Sequence, residues 1–355
     1  MERGTVLEIL RDACRAPSGD NAQPWRFEVR GDTIWVINMP EKDTSLFNWR
    51  QMTNHVALGA TIENLRVSAE AKGFRTEINF FPDAPDRLIV AEAVLTPDAS
   101  MRNDLAPYIA QRASNRKSYL PKKIEPEKLA QLAALAENES SRVSFISDEA
   151  TVREVAHIVS AGEKLALENR SIRDFLFSHV TWTREEDEQK HGFFIDTFEF
   201  NPVQRAAFKL FRNWNALRFF LPLGISTMVA KDAEKVHRTS AAFGAVIAPG
   251  RSDEDFIRAG MLLERLWLAA TQLGLALQPT TTVHFIGARV RGDDPGDISE
   301  QHQRLLDERY AMLAQKFGVS DLEEFGLVFR LGYADSPSAV TTRFEPNVTW
   351  LSRGN

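Results

Sequence analysis

A chain of 355 residues with 43% hydrophobic side chains can bury one large core or two ordinary ones, so its composition excludes the disordered and fibrous classes. Its formal net charge of -6 offers no excess of Lys and Arg for a phosphate backbone, which excludes nucleic acid as the expected partner. A single cysteine, Cys14, rules out an intrachain disulfide framework and fits a reducing compartment, with the cytoplasm the expected location.

The opening stretch, "MERGTVLEILRDACRA", has apolar residues at Val6, Ile9, Leu10 and Ala13 and reads as an amphipathic helix. Its interspersed charges are unlike the apolar core of a signal peptide. The loop "APSGDNAQP" follows, rich in hydrogen-bonding side chains, and then an alternating strand begins at Trp25, Phe27 and Val29. Trp25–Val29 and Ile34–Ile37 flank Arg30-Gly31-Asp32 as a hairpin, and 77–81 and 88–95 read as strands. The stretch 126–136 reads as a helix, and 143–146, 241–248 and 327–331 as further strands. Hairpins mixed with helices predict an α+β fold rather than a doubly wound parallel sheet.

Two segments lie 201 positions apart and read alike, "LGATIENLRVSAEAKGF" from Leu58 and "AGMLLERLWLAATQLGL" from Ala259. Gly59 pairs with Gly260, Glu63 with Glu264 and Gly73 with Gly274. Each copy predicts a long apolar helix closed by a glycine. The second is expected to be buried on nearly all sides, with Gly260 and Ala270 small enough to admit another backbone. The chain therefore reads as two related halves, 1–108 and 109–355.

Residues from about 170 to 235 have no counterpart in the first half. Within them "RAAFKLFRNWNALRFFLPLG" reads as one basic, aromatic amphipathic helix. A lid over a site and an extra packed helical layer both remain open for this insertion, with membrane-surface binding a lesser alternative. The longest apolar run, 219–225, is broken by Pro222 and Gly224 and falls far short of the roughly 20 residues needed to span a bilayer.

The familiar signatures of nucleotide, dinucleotide, serine-hydrolase and zinc-protease sites are absent from the sequence. Seven histidines are scattered without an i, i+4 pair, so no metal is expected.

The polar loop resembles that of the FMN-dependent nitroreductase family, whose PSxxNxQPW pattern is matched by Pro17, Ser18, Asn21, Gln23, Pro24 and Trp25. "QRASNRKSYLPKKIEPEKLAQL" resembles the family's RxSxR segment and the helix after it. The resemblance implies that Arg112, Ser114 and Arg116 bind the FMN phosphate, ribityl chain and ring edge. Guanidinium forks suit a phosphate dianion, and a hydroxyl completes its hydrogen-bond shell. "FRLGYADSPSAVTTRFEP" resembles the family's last strand and C-terminal segment, which makes Arg343 the arginine that returns to the phosphate. "QPTTT" stands where the family places a backbone N–H beside flavin N5, and implies Pro279, Thr280 and Thr281. Ser18 and Asn21 would then meet the ring edge or ribityl chain, and Gln23 would order the loop. Trp25 is read as core packing, with a flavin stack the lesser alternative, and Asn48 and Arg50 as weaker contacts that capping or exposure explains equally well.

The PSxxN loop and the RxSxR segment each occur once, in different halves. This is similar to the tandem, Acg-like branch of the family, in which two subunits are fused in one chain with one complete FMN site. The resemblance implies hydride transfer from NAD(P)H through FMN to a nitroaromatic, quinone or other conjugated small molecule. The alternative it leaves open is flavin storage beneath a lid. The chain would act as a monomer or as a dimer of fused chains.

Overall fold

The computed structural model describes residues 1–82 and 86–352. The helix Arg3–Ala13 buries Val6, Ile9, Leu10 and Ala13, the stripe expected of i, i+3/i+4 spacing. β1 (Trp25–Arg30) and β2 (Thr33–Asn38) make the predicted hairpin around Gly31, whose φ of 63° suits glycine. Trp25, Phe27 and Val29 turn inward, so Trp25 is core, as its place in the alternation requires. β3 (Phe74–Phe80) and β4 (Ile89–Pro97) extend this first sheet. Further along the chain come β5 (Arg142–Ile146), β6 (Val180–Thr181), β7 (Phe193–Phe194), β8 (Ala242–Ala248), β9 (Ala276–Pro279), β10 (Glu324–Gly332) and β11 (Val348–Trp350).

The first sheet runs β11-β1-β2-β4-β3, the second β5-β8-β10-β9, and β6 and β7 form a small parallel pair. β8 and β10 are buried at every position, which explains the continuous apolar run of β8 and the dominance of apolar residues in β10, where only Glu324 and Arg330 are charged. β11 pairs parallel with β1, Phe27 opposite Val348. The chain after β10 thus leaves the second sheet and crosses to the first, and this crossing arm carries Arg343.

Between the sheets the two helices that carry the similar segments, Met52–Ala71 and Asp253–Gln272, pack against each other. They touch through backbone at Gly59 and Gly260. Gly260 therefore serves as read from sequence, whereas Ala270 lies in the apolar cluster around the second sheet, with Val246 and Phe329. The first of the two helices is the more enclosed. It buries residues around its whole circumference, because the first sheet and the Arg3–Ala13 helix cover what its partner leaves open.

The single helix expected across 205–224 is two helices, Pro202–Phe211 and Trp214–Phe220. Asn213 takes an extended conformation between them, and its side chain accepts from the amides of Asn215 and Ala216, a cap that outweighs the continuous apolar period. Among the described residues no helix is long and apolar enough to cross a membrane.

Candidate functional site

The loop after the first helix is held in an uncommon backbone shape. Asp20, Asn21 and Gln23 have φ of 47°, 56° and 49°, a region that non-glycine residues enter only when surroundings fix them. The polar side chains do that work. Ser18 Oγ accepts from the Gln23 amide at 3.0 Å, Asn21 Nδ2 donates to Thr342 O at 3.1 Å, and Gln23 Oε1 accepts from the Phe344 amide at 3.0 Å. Gln23 therefore staples the loop to the C-terminal arm and does not line the cleft.

The segment with Arg112, Ser114 and Arg116 lies along the edge of β9. Ser114 bridges Leu277, and the Asn115 amide donates to Leu277 O at 2.9 Å. β9 ends at Pro279, so this pairing brings the arginine segment beside the Pro279–Thr281 turn. At that turn the Thr280 amide donates to Val328 O at 2.9 Å. Its N–H is taken by β10, and the next residue, Thr281, lines the cavity.

Two adjoining cavities of about 170 and 130 Å³ share Pro17, Ser18, Ser114, Arg116 and Phe193 in their walls and form one cleft. One end is basic, with Arg15, Arg112, Arg116 and Arg343 together with Asn21 and Thr341. The other is largely apolar, with Phe47, Val56, Trp267, Phe285 and Leu327 beside Pro279 and Thr281. Asp20 and Asp43 also reach that end.

At the basic end, Arg112 lies 2.9 Å from the fully buried Glu264, donates to Arg15 O at 2.5 Å and sits 4.6 Å above the Trp267 ring. Burial pushes the Glu264 carboxyl up to about 7 against the pull of Arg112. Arg343 donates to Ala16 O at 3.2 Å and to Asn21 Oδ1 at 2.5 Å. Burial, and after it the like charge of Arg112, pushes Arg343 down to about 9. Arg116 donates to Thr197 O at 3.2 Å, and burial pushes it down to about 10. Among the described residues Arg15, Arg116 and Arg343 have no carboxylate within ion-pair distance. Arg112 has Glu264 as its ion-pair partner, whereas Asp20 and Glu199 act on Arg116, and Asp187 on Arg343, only from beyond ion-pair distance, so these guanidinium groups keep donors that would attract an anion. Asn21 spends both ends of its amide on the arm and its arginine, so it orders this basic end.

Asp20 shows the opposite shift. Burial, and then the nearby Asp43, pushes its carboxyl up to about 7, with Arg116 opposing. Asp43 is itself held by Thr53 Oγ1 at 3.1 Å and the Ser45 amide at 3.0 Å.

Of the residues expected from sequence, Pro17, Ser18, Asn21, Arg112, Ser114, Arg116, Pro279, Thr281 and Arg343 line this cleft, whereas Gln23 and Thr280 stand behind it. Asn48 is buried and caps the first central helix through Thr53 and the Asn54 amide, and Arg50 lies exposed over Trp49. Arg15, Asp20, Asp43, Phe193, Thr197 and Trp267 were not singled out by sequence. Asp20 stood inside the quoted loop, but Phe193 and Thr197 come from the insertion and carry no local signal.

A family model described as "Nitroreductase family" matches residues 109–333. An uncharacterized protein of Mycobacterium tuberculosis is 25% identical over 341 residues, covering 94% of this chain and 46% of that protein. The chain thus spans less than half the length of that relative. A Serratia protein named "Probable NAD(P)H nitroreductase PigM" is 23% identical over 311 residues, covering 80% of this chain and 82% of its own. Among solved structures, an FMN-bound nitroreductase from Desulfitobacterium hafniense overlays with a TM-score of 0.39 at 15% identity, over 71% of this chain and all of that one.

Proposed function

From the premise that the chain belongs to the nitroreductase family, we propose that its cleft binds FMN and that the protein is an NAD(P)H-dependent oxidoreductase. The carrying observation is the basic end of the cleft, where, among the described residues, Arg15, Arg116 and Arg343 stand without a carboxylate at ion-pair distance and adjoin an apolar slot. The donor set fits the cofactor. Arg112, Arg116 and Arg343 suit a phosphate, Ser18 and Ser114 suit a polyol chain, and Pro279 with Thr281 suits the edge of a flat ring. Bound FMN would supply the hydride-accepting and hydride-donating centre. The chain's own residues neutralise the phosphate, orient the ring and keep water out with Trp267, Leu263 and Phe285. A nitroaromatic, quinone or other planar conjugated molecule is the substrate class that an apolar slot favours.

The domain organisation proposed with it is a fused pair, 1–108 and 109–355, working in the cytoplasm alone or as a dimer of fused chains. The meeting of Gly59 with Gly260 supports this, as does a cleft that takes its polar loop from one part and its arginine segment from the other. One observation favours a second reading. Phe193, from the insertion, lines both cavities, and an insertion that reaches the cleft would suit a flavin-storage protein.

The test is the absorbance spectrum of the purified chain, followed by anaerobic NADPH and NADH. A 450 nm band that bleaches and is restored by a nitroaromatic or quinone supports the oxidoreductase. A band that persists supports storage, and a colourless protein that takes up no FMN refutes both.

A further inference from the structure

The segment 184–199 of the insertion holds the C-terminal arm at successive points. Glu199 accepts from the Ser338 amide at 2.7 Å and its hydroxyl at 2.6 Å, and Arg184 Nη1 donates to Val340 O at 3.1 Å. Asp187 Oδ2 accepts from the Thr342 amide at 3.0 Å and its hydroxyl at 2.7 Å, while the His191 ring lies 4.5 Å from that of Phe344. The contacts alternate along the arm, at 338, 340, 342 and 344. Arg343 stands between the last two of these points and lines the cleft.

Asp187 is the centre of this clasp. It is fully buried, and Arg184 Nη1 also donates to it at 2.9 Å. A buried carboxylate is costly unless its oxygens are satisfied. Here two of the donors come from the residue next to Arg343. On the far side of that residue pair, Thr342 O accepts from Asn21 Nδ2, and Asn21 Oδ1 accepts from Arg343. The arm is thus gripped by the insertion on one side and by the Asn21 loop on the other, with Arg343 directed into the cleft.

We propose that Asp187 is a positioning residue for the anion end of the cleft: by clasping Thr342 it holds Arg343 toward the phosphate of the ligand, so the insertion sets the preference for phosphate-bearing over phosphate-free flavin. This rests on the FMN reading above. It also gives the insertion a role distinct from a lid, because the clasp acts on the arm rather than over the ring.

The experiment titrates the full chain with FMN and with riboflavin, which lacks the phosphate, and follows quenching of flavin fluorescence. Asp187→Asn is expected to weaken FMN binding about tenfold, the scale of one charge-assisted contact, and to change riboflavin binding less than about twofold. In an Arg343→Ala background the same substitution should cost nothing further, because its effect passes through Arg343. Equal loss of both ligands, or a loss that adds to that of Arg343→Ala, overturns the role of Asp187. If Asp187→Asn does not fold, Thr342→Val removes one of the two clasping bonds. A phosphate-selective weakening of about threefold is then expected, and equal weakening of both flavins overturns the proposal. A wild-type chain that binds FMN and riboflavin alike overturns both the phosphate reading and this inference, whereas a selective wild type with an unselective loss in Asp187→Asn overturns the inference alone.

Discussion

Gly59 and Gly260 meet backbone to backbone where the two central helices cross. A methyl group on Gly59 would lie 2.0 Å from Ile257 O, and one on Gly260 would lie 2.1 Å from Val56 O. Neither obstacle is a side chain that can swing aside, so the helices would have to separate. Gly260→Ala is expected to lower unfolding free energy by about 2–4 kcal/mol, in the upper range of overpacking costs. Gly4→Ala is the control. Its methyl would meet only Glu2 Oε1 at 3.9 Å, and alanine in a helix should stabilise by about 0.5–1 kcal/mol. Urea titration of both variants checks the contrast, and equal small effects would show that the crossing is not tight.

Arg112 serves two partners, and the prediction separates them. Arg112→Ala should weaken FMN binding by about 1.5–3 kcal/mol, roughly ten- to hundredfold, through loss of a charge-assisted contact. It should also destabilise the flavin-free chain, because Glu264 is left buried without its cation. Adding Glu264→Gln to Arg112→Ala should restore much of the stability and none of the affinity. Thermal melts of the flavin-free proteins and FMN titrations read the two effects independently.

Much of this arrangement was legible in the sequence because its signals are local. The alternation at Trp25, Phe27 and Val29 set the first strand, and the small Gly260 marked a place where another backbone could come close, which Val56 does. The polar loop and the arginine segment carried their residues in compact patterns. What was not legible depends on partners far along the chain. Whether Thr280 or Thr281 presents an N–H is decided by β10, which takes the Thr280 amide. Gln23 belongs to the loop pattern, but the arm at Phe344 claims its side chain. Phe193 and Thr197 enter the cleft through the path of an insertion that no local pattern describes. Asn213 shows the converse, a local cap hidden within a convincing apolar period.

Asp20 makes stability depend on pH in a stated direction. Its carboxyl is pushed up to about 7 in the folded chain by burial and by Asp43, whereas in an unfolded chain it titrates near 4. Between those values the folded state binds the extra proton, so the stabilisation is complete below about pH 4 and is lost as the pH rises through about 7. Asp20→Asn should therefore stabilise the flavin-free protein at pH 8 by about 1–2 kcal/mol, less than the full shift because the side chain is partly solvated. Near pH 4 the variant and wild type should coincide. Urea titrations across pH 5–8 test this, and parallel curves for the two proteins would place the titrating group elsewhere. Glu264 is raised to about 7 as well, so a residual slope should survive in the variant.

One flavin per chain is the expected stoichiometry, and the geometry gives the reason. The polar loop 17–24, the arginine segment 112–116 and the arm bearing Arg343 line a single cleft. The repeat duplicates the central helices without duplicating these three segments. At the position equivalent to Glu264 the first helix has Glu63, which is paired with Arg66 at 2.6 Å and Arg265 at 2.8 Å. Those two arginines are spent on the carboxylate, and the first of them also reaches Glu70. Among the described residues the surroundings of Glu63 therefore hold their arginines in ion pairs, with none left to receive a phosphate. Absorbance at 450 nm against protein concentration should give at most one FMN per chain after saturation and gel filtration. Arg343→Ala should lower that occupancy without revealing a second class of site, and two tightly held flavins per chain would refute the single-cleft arrangement.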